Sequence, residues 1–263
     1  MTNKPGTMQM IDVGVGAARR GISYRLDAGD PARPMIVWLG GLRSDMRSTK
    51  ASALADHCAT LALPYLRFDY SGHGASQGTF ATGTISRWLE EALAVVTEIA
   101  HGPIVLVGSS LGGYVTLLLA RALDALGQAE RLKGMVLIAP AVDMTERLMW
   151  DAFPEAVKAE ILNEGRWDLP SAYGLESTPV TRGLIDDGRR HLLLGAPIRT
   201  FCPTVVLQGA ADPDVPLAHT LETMKFFACD PVTLTVVADG DHRLSRPQDI
   251  ALLCDALDRV YPP

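Results

Sequence analysis

Apolar residues along this chain alternate between short continuous runs and longer stretches with apolar positions three or four apart. The runs Met35–Leu39, Tyr65–Phe68, Ile104–Val107, Met135–Ile138, Thr204–Leu207 and Leu234–Val237 read as strands. Most lack polar alternation, as strands of a parallel sheet do when helices cover both faces. The last run differs. Thr233 and Thr235 alternate with Leu234 and Val236, which predicts a place near the sheet edge. Met10–Val13 and Ser23–Leu26 are weaker strand candidates ahead of Met35. Between the runs, Ser86–Ala100 carries Leu89, Leu93 and Val96 at helical spacing, and Leu111–Leu126 is apolar enough for a buried helix. Ser245-Arg-Pro-Gln248 opens a C-terminal helix with a capping-box pattern and a proline just inside the start. Ile250, Leu253, Leu257 and Val260 form its apolar stripe. This alternation predicts an α/β protein with a mostly parallel, doubly wound sheet and helices on both faces.

The rhythm breaks between Val142 and Ile198. No good strand is legible there, and short helical pieces are interrupted by Pro154, Gly165, Pro170 and Gly174. Val157 and Ile161 sit one helical turn apart, while Trp150, Phe153, Trp167 and Tyr173 add aromatic bulk. The region predicts a helical cap, residues 143–197, inserted after the sixth strand of a core made of residues 1–142 and 198–263. Trp150, Phe153 and Trp167 are candidates for lining an apolar pocket beneath it; the alternative is that they pack the cap onto the core.

Composition narrows the function more than the fold. With 263 residues, 48% hydrophobic and 21% charged, the chain can bury a sizeable core without staples. Its formal charge of −6 repels phosphate backbones and anionic headgroups, which disfavours nucleic-acid binding and electrostatic membrane docking. No apolar run approaches the roughly 18 residues that a membrane span needs. Cys58, Cys202, Cys229 and Cys254 are far apart, with no C-x-x-C pair, so reduced, buried cysteines are expected rather than a zinc site or disulfide framework. Met1–Thr7 is short and polar with no apolar core of a signal peptide, and a cytoplasmic location is the default expectation.

Two segments match G-x-S-x-G, Gly108–Gly112 around Ser110 and Gly74–Gly78 around Ser76. A nucleophile elbow must be a sharp turn from strand to helix. Ser110 directly follows the run Ile104–Val107 and precedes the apolar helix starting at Leu111. Ser76 instead lies in the polar stretch Ser71–Gly78, with no apolar helix immediately after it. Ser110 is therefore the candidate nucleophile. Glycines on either side of it remove side chains that would clash where strand and helix approach. The helix N-terminus would also supply the Leu111 amide to an oxyanion, with a second amide from the loop Gly40-Gly41-Leu42-Arg43, by position that of Leu42.

On such a sheet an acid and then a histidine follow the serine in chain order. His242 sits in Ala238-Asp-Gly-Asp-His242, after the last strand and before the capped helix, where ligand-facing loops of open sheets gather. His191 falls inside the cap and His219 in a helix after Pro216. For the acid, Asp212 and Asp214 both qualify by position after Thr204–Leu207. Asp212, fixed by Pro213, is the expected partner of His242, and Asp214 is expected to cap the next helix.

The combination Arg67–Ser76, Val107–Gly113, Gln208–Asp212 and Gly240–His242 resembles the α/β-hydrolases across most of the chain. Within them it is similar to the mitochondrial acyl-protein thioesterases that also cleave an acyl-glucuronide, and to their bacterial relatives. That resemblance implies the α/β-hydrolase fold, a triad of Ser110, Asp212 and His242, and cleavage of carboxylic esters or thioesters through an acyl-enzyme. It implies no metal or organic cofactor, and as substrate a small-molecule ester, an acyl thioester or an acylated protein. Hydrolysis of C–C or amide bonds, or a non-catalytic receptor on the same scaffold, are the rival readings.

Overall fold

The computed structural model describes residues 6–170, 177–227 and 229–261. Parts of Met1–Thr7, and Tyr173 and Gly174 of the cap region, lie outside them. An antiparallel pair, β1 (Met8–Val13) and β2 (Arg20–Asp27), opens the chain. β3 (Met35–Leu39), helix α1 (Thr49–Thr60), β4 (Tyr65–Phe68), α2 (Ile85–Glu98), β5 (Ile104–Ser109), α3 (Leu111–Ala125) and β6 (Leu132–Ile138) follow. After an intervening segment, which holds α4 (Glu155–Glu164), β7 (Arg166–Leu169), β8 (Thr178–Thr181) and α5 (Arg182–Gly188), come β9 (Thr204–Gly209), α6 (Leu217–Met224), β10 (Val232–Val237) and α7 (Pro247–Val260). The eight-stranded sheet runs β1-β2-β4-β3-β5-β6-β9-β10 and is parallel from β4 to β10.

The polar-free strands have the cause that their pattern predicts. Alternate residues feed two separate cores, one on each side of the sheet. Val37, Leu39, Leu106, Leu137 and Val206 pack towards α2 and α3, whereas Trp38, Val105, Val107, Val136 and Leu207 pack towards α1 and α7. Full burial of such side chains contributes about 1.5–3 kcal/mol each before the entropy of ordering them is set against it. β10 ends the sheet, as its alternation predicts, although Val236, on the apolar side of that alternation, is itself 43% exposed.

α7 starts one residue later than the capping pattern suggests. Arg246 is its N-cap, and the Asp249 carboxylate accepts both the Arg246 backbone N–H at 3.0 Å and its guanidinium. An acidic group three residues into the helix out-competes Gln248, and the Ser245 hydroxyl donates to the Arg243 carbonyl instead.

The segment between β6 and β9 is not wholly helical. It has a π-helical turn (Thr145–Trp150), α4 (Glu155–Glu164), a two-stranded antiparallel ribbon of β7 (Arg166–Leu169) and β8 (Thr178–Thr181), and α5 (Arg182–Gly188). The ribbon was illegible because its strands are four residues long and β8 contains Pro179, which only an edge position tolerates. Alternation is nonetheless present: Trp167 and Leu169 are half-buried between exposed Arg166 and Asp168. The segment is fastened at both ends. Asp143, at φ 54°, accepts the N–H groups of Leu193 and Leu194 at 2.8 and 2.9 Å. Asp187 accepts the Ser86 N–H and hydroxyl, both at 2.7 Å, tying α5 to the start of α2.

Candidate active site

Ser110 occupies the turn between β5 and α3 with φ 55° and ψ −117°, a backbone conformation that side chains rarely adopt. The turn is held by the Ser110 N–H donating to the Ile138 carbonyl at 2.8 Å, and by its own carbonyl accepting from Ala141 at 3.1 Å. Close packing explains the flanking glycines. A Cβ on Gly112 would stand 2.0 Å from the Leu39 carbonyl oxygen, and one on Gly108 would stand 2.5 Å from that of Gly112. Neither backbone could yield that distance.

The three residues singled out by order and position meet here. His242 Nε2 lies 3.1 Å from Ser110 Oγ, and His242 Nδ1 lies 2.8 Å from Asp212 Oδ2. The other Asp212 oxygen accepts the N–H groups of Asp214 and Val215 at 2.9 and 2.8 Å, so a fully buried carboxylate is held in one orientation. Asp214 does not cap α6, whose N-cap is Pro216; it stands on the wall of the cleft described below. Motif matching assigned no role to Gln208. It is buried, and its Nε2 approaches Asp212 Oδ2 at 3.2 Å and the Val215 carbonyl at 2.9 Å, while its Oε1 accepts from Thr220 at 2.7 Å. A glutamine at the end of an otherwise apolar strand was the available signal.

The second G-x-S-x-G serine has a different task. Ser76 Oγ donates to the Asp69 carbonyl at 2.6 Å and accepts the Ser23 N–H at 2.8 Å, closing the loop after β4 against β2. His191 stays within the inserted segment, with Nε2 2.7 Å from Ser86 Oγ, and burial holds its imidazole below the ordinary range. Burial does the same to His219 on α6.

Ser110 and His242 open onto a cleft of about 760 Å³. Gly41 and Leu42 line it, and a Cβ on Gly41 would stand 3.4 Å from that of Ser110, so the loop after β3 passes against the serine. Leu111 opens α3, where first-turn N–H groups lack acceptors inside the helix. The inserted segment adds an apolar wall of Met144, Leu148, Met149, Phe153 and Leu169. Of the three candidate aromatics, only Phe153 reaches the cleft. Trp167 stands behind it in an edge-to-face pair at 5.2 Å. Trp150 packs outside under the Arg189 guanidinium, 4.8 Å from its ring centre, because helical phase turns it away from the cleft while Met149 faces in.

Among the described residues, one group has ligand atoms close enough to suggest a metal: Asp212, Asp214 and His242. Its central carboxylate already accepts two backbone N–H groups, a glutamine amide and the imidazole, leaving little coordination capacity.

An elbow serine at the end of a strand, backed by an imidazole and a buried carboxylate, is the arrangement of a hydrolase built on a parallel sheet. Residues 35–252 match the alpha/beta hydrolase family, and the chain belongs to it. Its relatives include the mouse palmitoyl-protein thioesterase ABHD10, mitochondrial, 34% identical over 228 residues that make up 86% of this chain and 74% of that protein. The crystal structure of a putative hydrolase from Agrobacterium vitis S4 superposes with a TM-score of 0.94 at 45% identity, covering 98% of this chain and 99% of the other. Alpha/beta hydrolase domain-containing protein 10 from mouse gives a TM-score of 0.83 at 31% identity, covering 96% and 98%. Among the described residues, no helix is long and apolar enough to cross a membrane.

Proposed function

We propose that the protein is a serine hydrolase that cleaves carboxylic esters or thioesters through an acyl-enzyme. One observation carries this reading: the unbroken chain from Ser110 Oγ through His242 to buried Asp212, set at a strand-to-helix turn. His242 takes the hydroxyl proton as Ser110 attacks the acyl carbonyl, and the oxyanion forms between the amides of Leu42 and Leu111. The C–O or C–S bond then breaks as His242 hands its proton to the leaving oxygen or sulfur. Water, deprotonated by the same imidazole, attacks the acyl-enzyme and releases the acid. Asp212 holds the ring in the tautomer that presents Nε2 to Ser110, without taking the proton itself.

The inserted segment, residues 143–197, acts as the cap, with Phe153, Met149 and Leu148 receiving the acyl group. Trp167 supports Phe153 from behind. The thioesterase name of the mammalian relatives supports acyl substrates of this kind. Labelling with a fluorophosphonate probe tests the assignment. The wild-type protein takes up one equivalent and loses turnover of 4-nitrophenyl esters, and Ser110→Ala takes up none. An unlabelled, folded wild-type protein would refute it and favour a non-catalytic receptor, and labelling that survives Ser110→Ala would move the nucleophile elsewhere.

A further inference from the structure

We propose that Arg43 is a positioning residue that ties the turn carrying the Leu42 amide to the ribbon of the cap, so that an acyl chain filling the apolar wall raises kcat. This rests on the acyl-transfer reading above, in which that amide holds the oxyanion, and names what sets the preference among acyl chains.

Arg43 stands where the backbone favours a different residue. The Ser44 N–H donates to the Gly41 carbonyl at 3.1 Å, closing a turn around Leu42 and Arg43. Arg43, the third residue of that turn, has φ 60°, in the left-handed region that glycine and asparagine enter more readily. Such backbone outliers persist where the surrounding structure uses them, so an arginine kept there points to a role for its side chain.

That side chain joins core to cap. Its guanidinium carbon lies 5.0 Å from the centre of the Phe80 ring, a cation–π distance, and one of its nitrogens donates to the Ser177 carbonyl at 3.0 Å. Phe80 belongs to the core and makes a firm platform, with its ring 5.2 Å from that of His73 and 6.1 Å from that of Trp88. Ser177 belongs to the cap and directly precedes β8. Arg43 is itself exposed, so these contacts add little to global stability. What they fix is where the turn sits relative to the ribbon.

The ribbon end that Arg43 holds is also the end that meets the acyl chain. Leu169 and Thr178 are register partners there, both line the cleft, and Ser177 is the next residue. On the other side of the link, Leu42 adjoins Arg43, and a Cβ on Gly41 would stand 3.4 Å from that of Ser110. Gly41, Leu42 and Arg43 therefore pass in sequence from the nucleophile, through the oxyanion amide, to the cap. An acyl chain packed on Leu169 steadies the ribbon, and through the guanidinium it steadies the turn that presents the Leu42 amide. A two-carbon acetyl group leaves that wall unfilled. Binding energy from the remote part of a long chain is thus expressed in kcat and not only in KM.

The test measures kcat on 4-nitrophenyl acetate and 4-nitrophenyl octanoate for the full chain and its variants. The wild type should turn over octanoate at least about tenfold faster than acetate, the scale of one charge-assisted hydrogen bond. Arg43→Asn keeps a residue that tolerates the left-handed turn but is too short to reach Ser177. Its octanoate-to-acetate ratio should fall to about threefold or less, with a urea midpoint no lower than that of the wild type. Arg43→Lys keeps a cation over the Phe80 ring and should restore most of the ratio. Should Arg43→Asn not fold, Arg43→Gly, whose backbone the turn favours, takes its place with the same expected ratio. Equal kcat on the two esters in the wild type, a wild-type ratio in Arg43→Asn, or a lysine variant as low as the asparagine one overturns the proposal while leaving the serine hydrolase standing. No turnover and no fluorophosphonate labelling overturn both.

Discussion

Gln208 offers the sharpest test of how the carboxylate behind His242 is held. Its amide nitrogen faces three oxygens, those of Gly209, Asp212 and Val215, at 3.0, 3.2 and 2.9 Å, and its own oxygen accepts the Thr220 hydroxyl at 2.7 Å. Leucine would fill similar space but strand the Val215 carbonyl and the Thr220 hydroxyl, both buried. Each lost partner costs about 1–3 kcal/mol, so Gln208→Leu should lose roughly 2–6 kcal/mol, a large part of an ordinary domain's stability. Glutamate is the more telling change. It keeps the Thr220 bond but sets a second carboxylate 3.2 Å from that of Asp212. At an effective dielectric of about 20 that repulsion is roughly 5 kcal/mol, enough to keep the new carboxyl protonated well above the ordinary glutamate range. The folded form then binds a proton that the unfolded form has released. Stability of Gln208→Glu should therefore fall as pH rises above about 4.3 and level off above the raised folded value. Gln208→Leu, with nothing new to titrate, should not follow it. Urea midpoints of both variants at pH 5, 6.5 and 8, alongside kcat/KM on a 4-nitrophenyl ester, provide the readout. Parallel pH profiles for the two variants, or a wild-type midpoint for Gln208→Leu, would show that this network does not restrain Asp212.

Ser110→Ala and Ser110→Gly should both be inactive, but the positive φ costs a side chain about 1 kcal/mol or more. The glycine variant should match or exceed the alanine variant in urea midpoint, and a clearly lower midpoint would mean the turn is unstrained. Gly112→Ala drives a methyl group into the Leu39 and Gly40 carbonyls, so it should lose about 1–3 kcal/mol and most esterase activity; wild-type values for both would contradict the packing. Burial depresses His219, so its stabilisation is complete above about pH 6.5 and lost as pH falls through the folded value. His219→Gln should flatten the acid side of the stability profile by up to about 1.4 kcal/mol per pH unit, and unchanged slopes in urea titrations from pH 5 to 7.5 would refute this.

Strands were legible where burial on two faces made them uniformly apolar, and Ile104–Val107 and Thr204–Leu207 are such runs. β7 and β8 were not, because a four-residue ribbon on a surface leaves no sustained period. The approach of Ser110, Asp212 and His242 was legible from chain order, since each follows a strand of one parallel sheet. Pocket walls are harder. Trp150 and Met149 are neighbours in sequence, yet the π-helical turn packs one against the core under Arg189 and sends the other to the cleft. Trp150 was a pocket candidate by its aromatic bulk, with packing of the cap onto the core as the alternative. Lys50 carried no motif at all, because its bond to the Arg243 carbonyl joins α1 to the loop that follows His242, 193 residues away.

Sheet order explains why these groups converge. β3 and β5 are neighbours, but the chain leaves β3 through α1 on one face and leaves β5 through α3 on the other. Where successive connections part to opposite faces, a crevice opens at the carboxyl ends of the strands. Gly41 and Ser110 stand on its two sides. Two helices therefore direct their N-termini at one crevice from opposite faces of the sheet. α3 begins at Ser110, where under the proposed mechanism charge develops on the attacked carbonyl oxygen, and α1 begins at the cleft wall beside Lys50. The same reversal of strand order that brings the loop after β3 against Ser110 thus also brings the start of α1 to the cleft, and both approaches would be weakened together by any change that shifts β3 against β5.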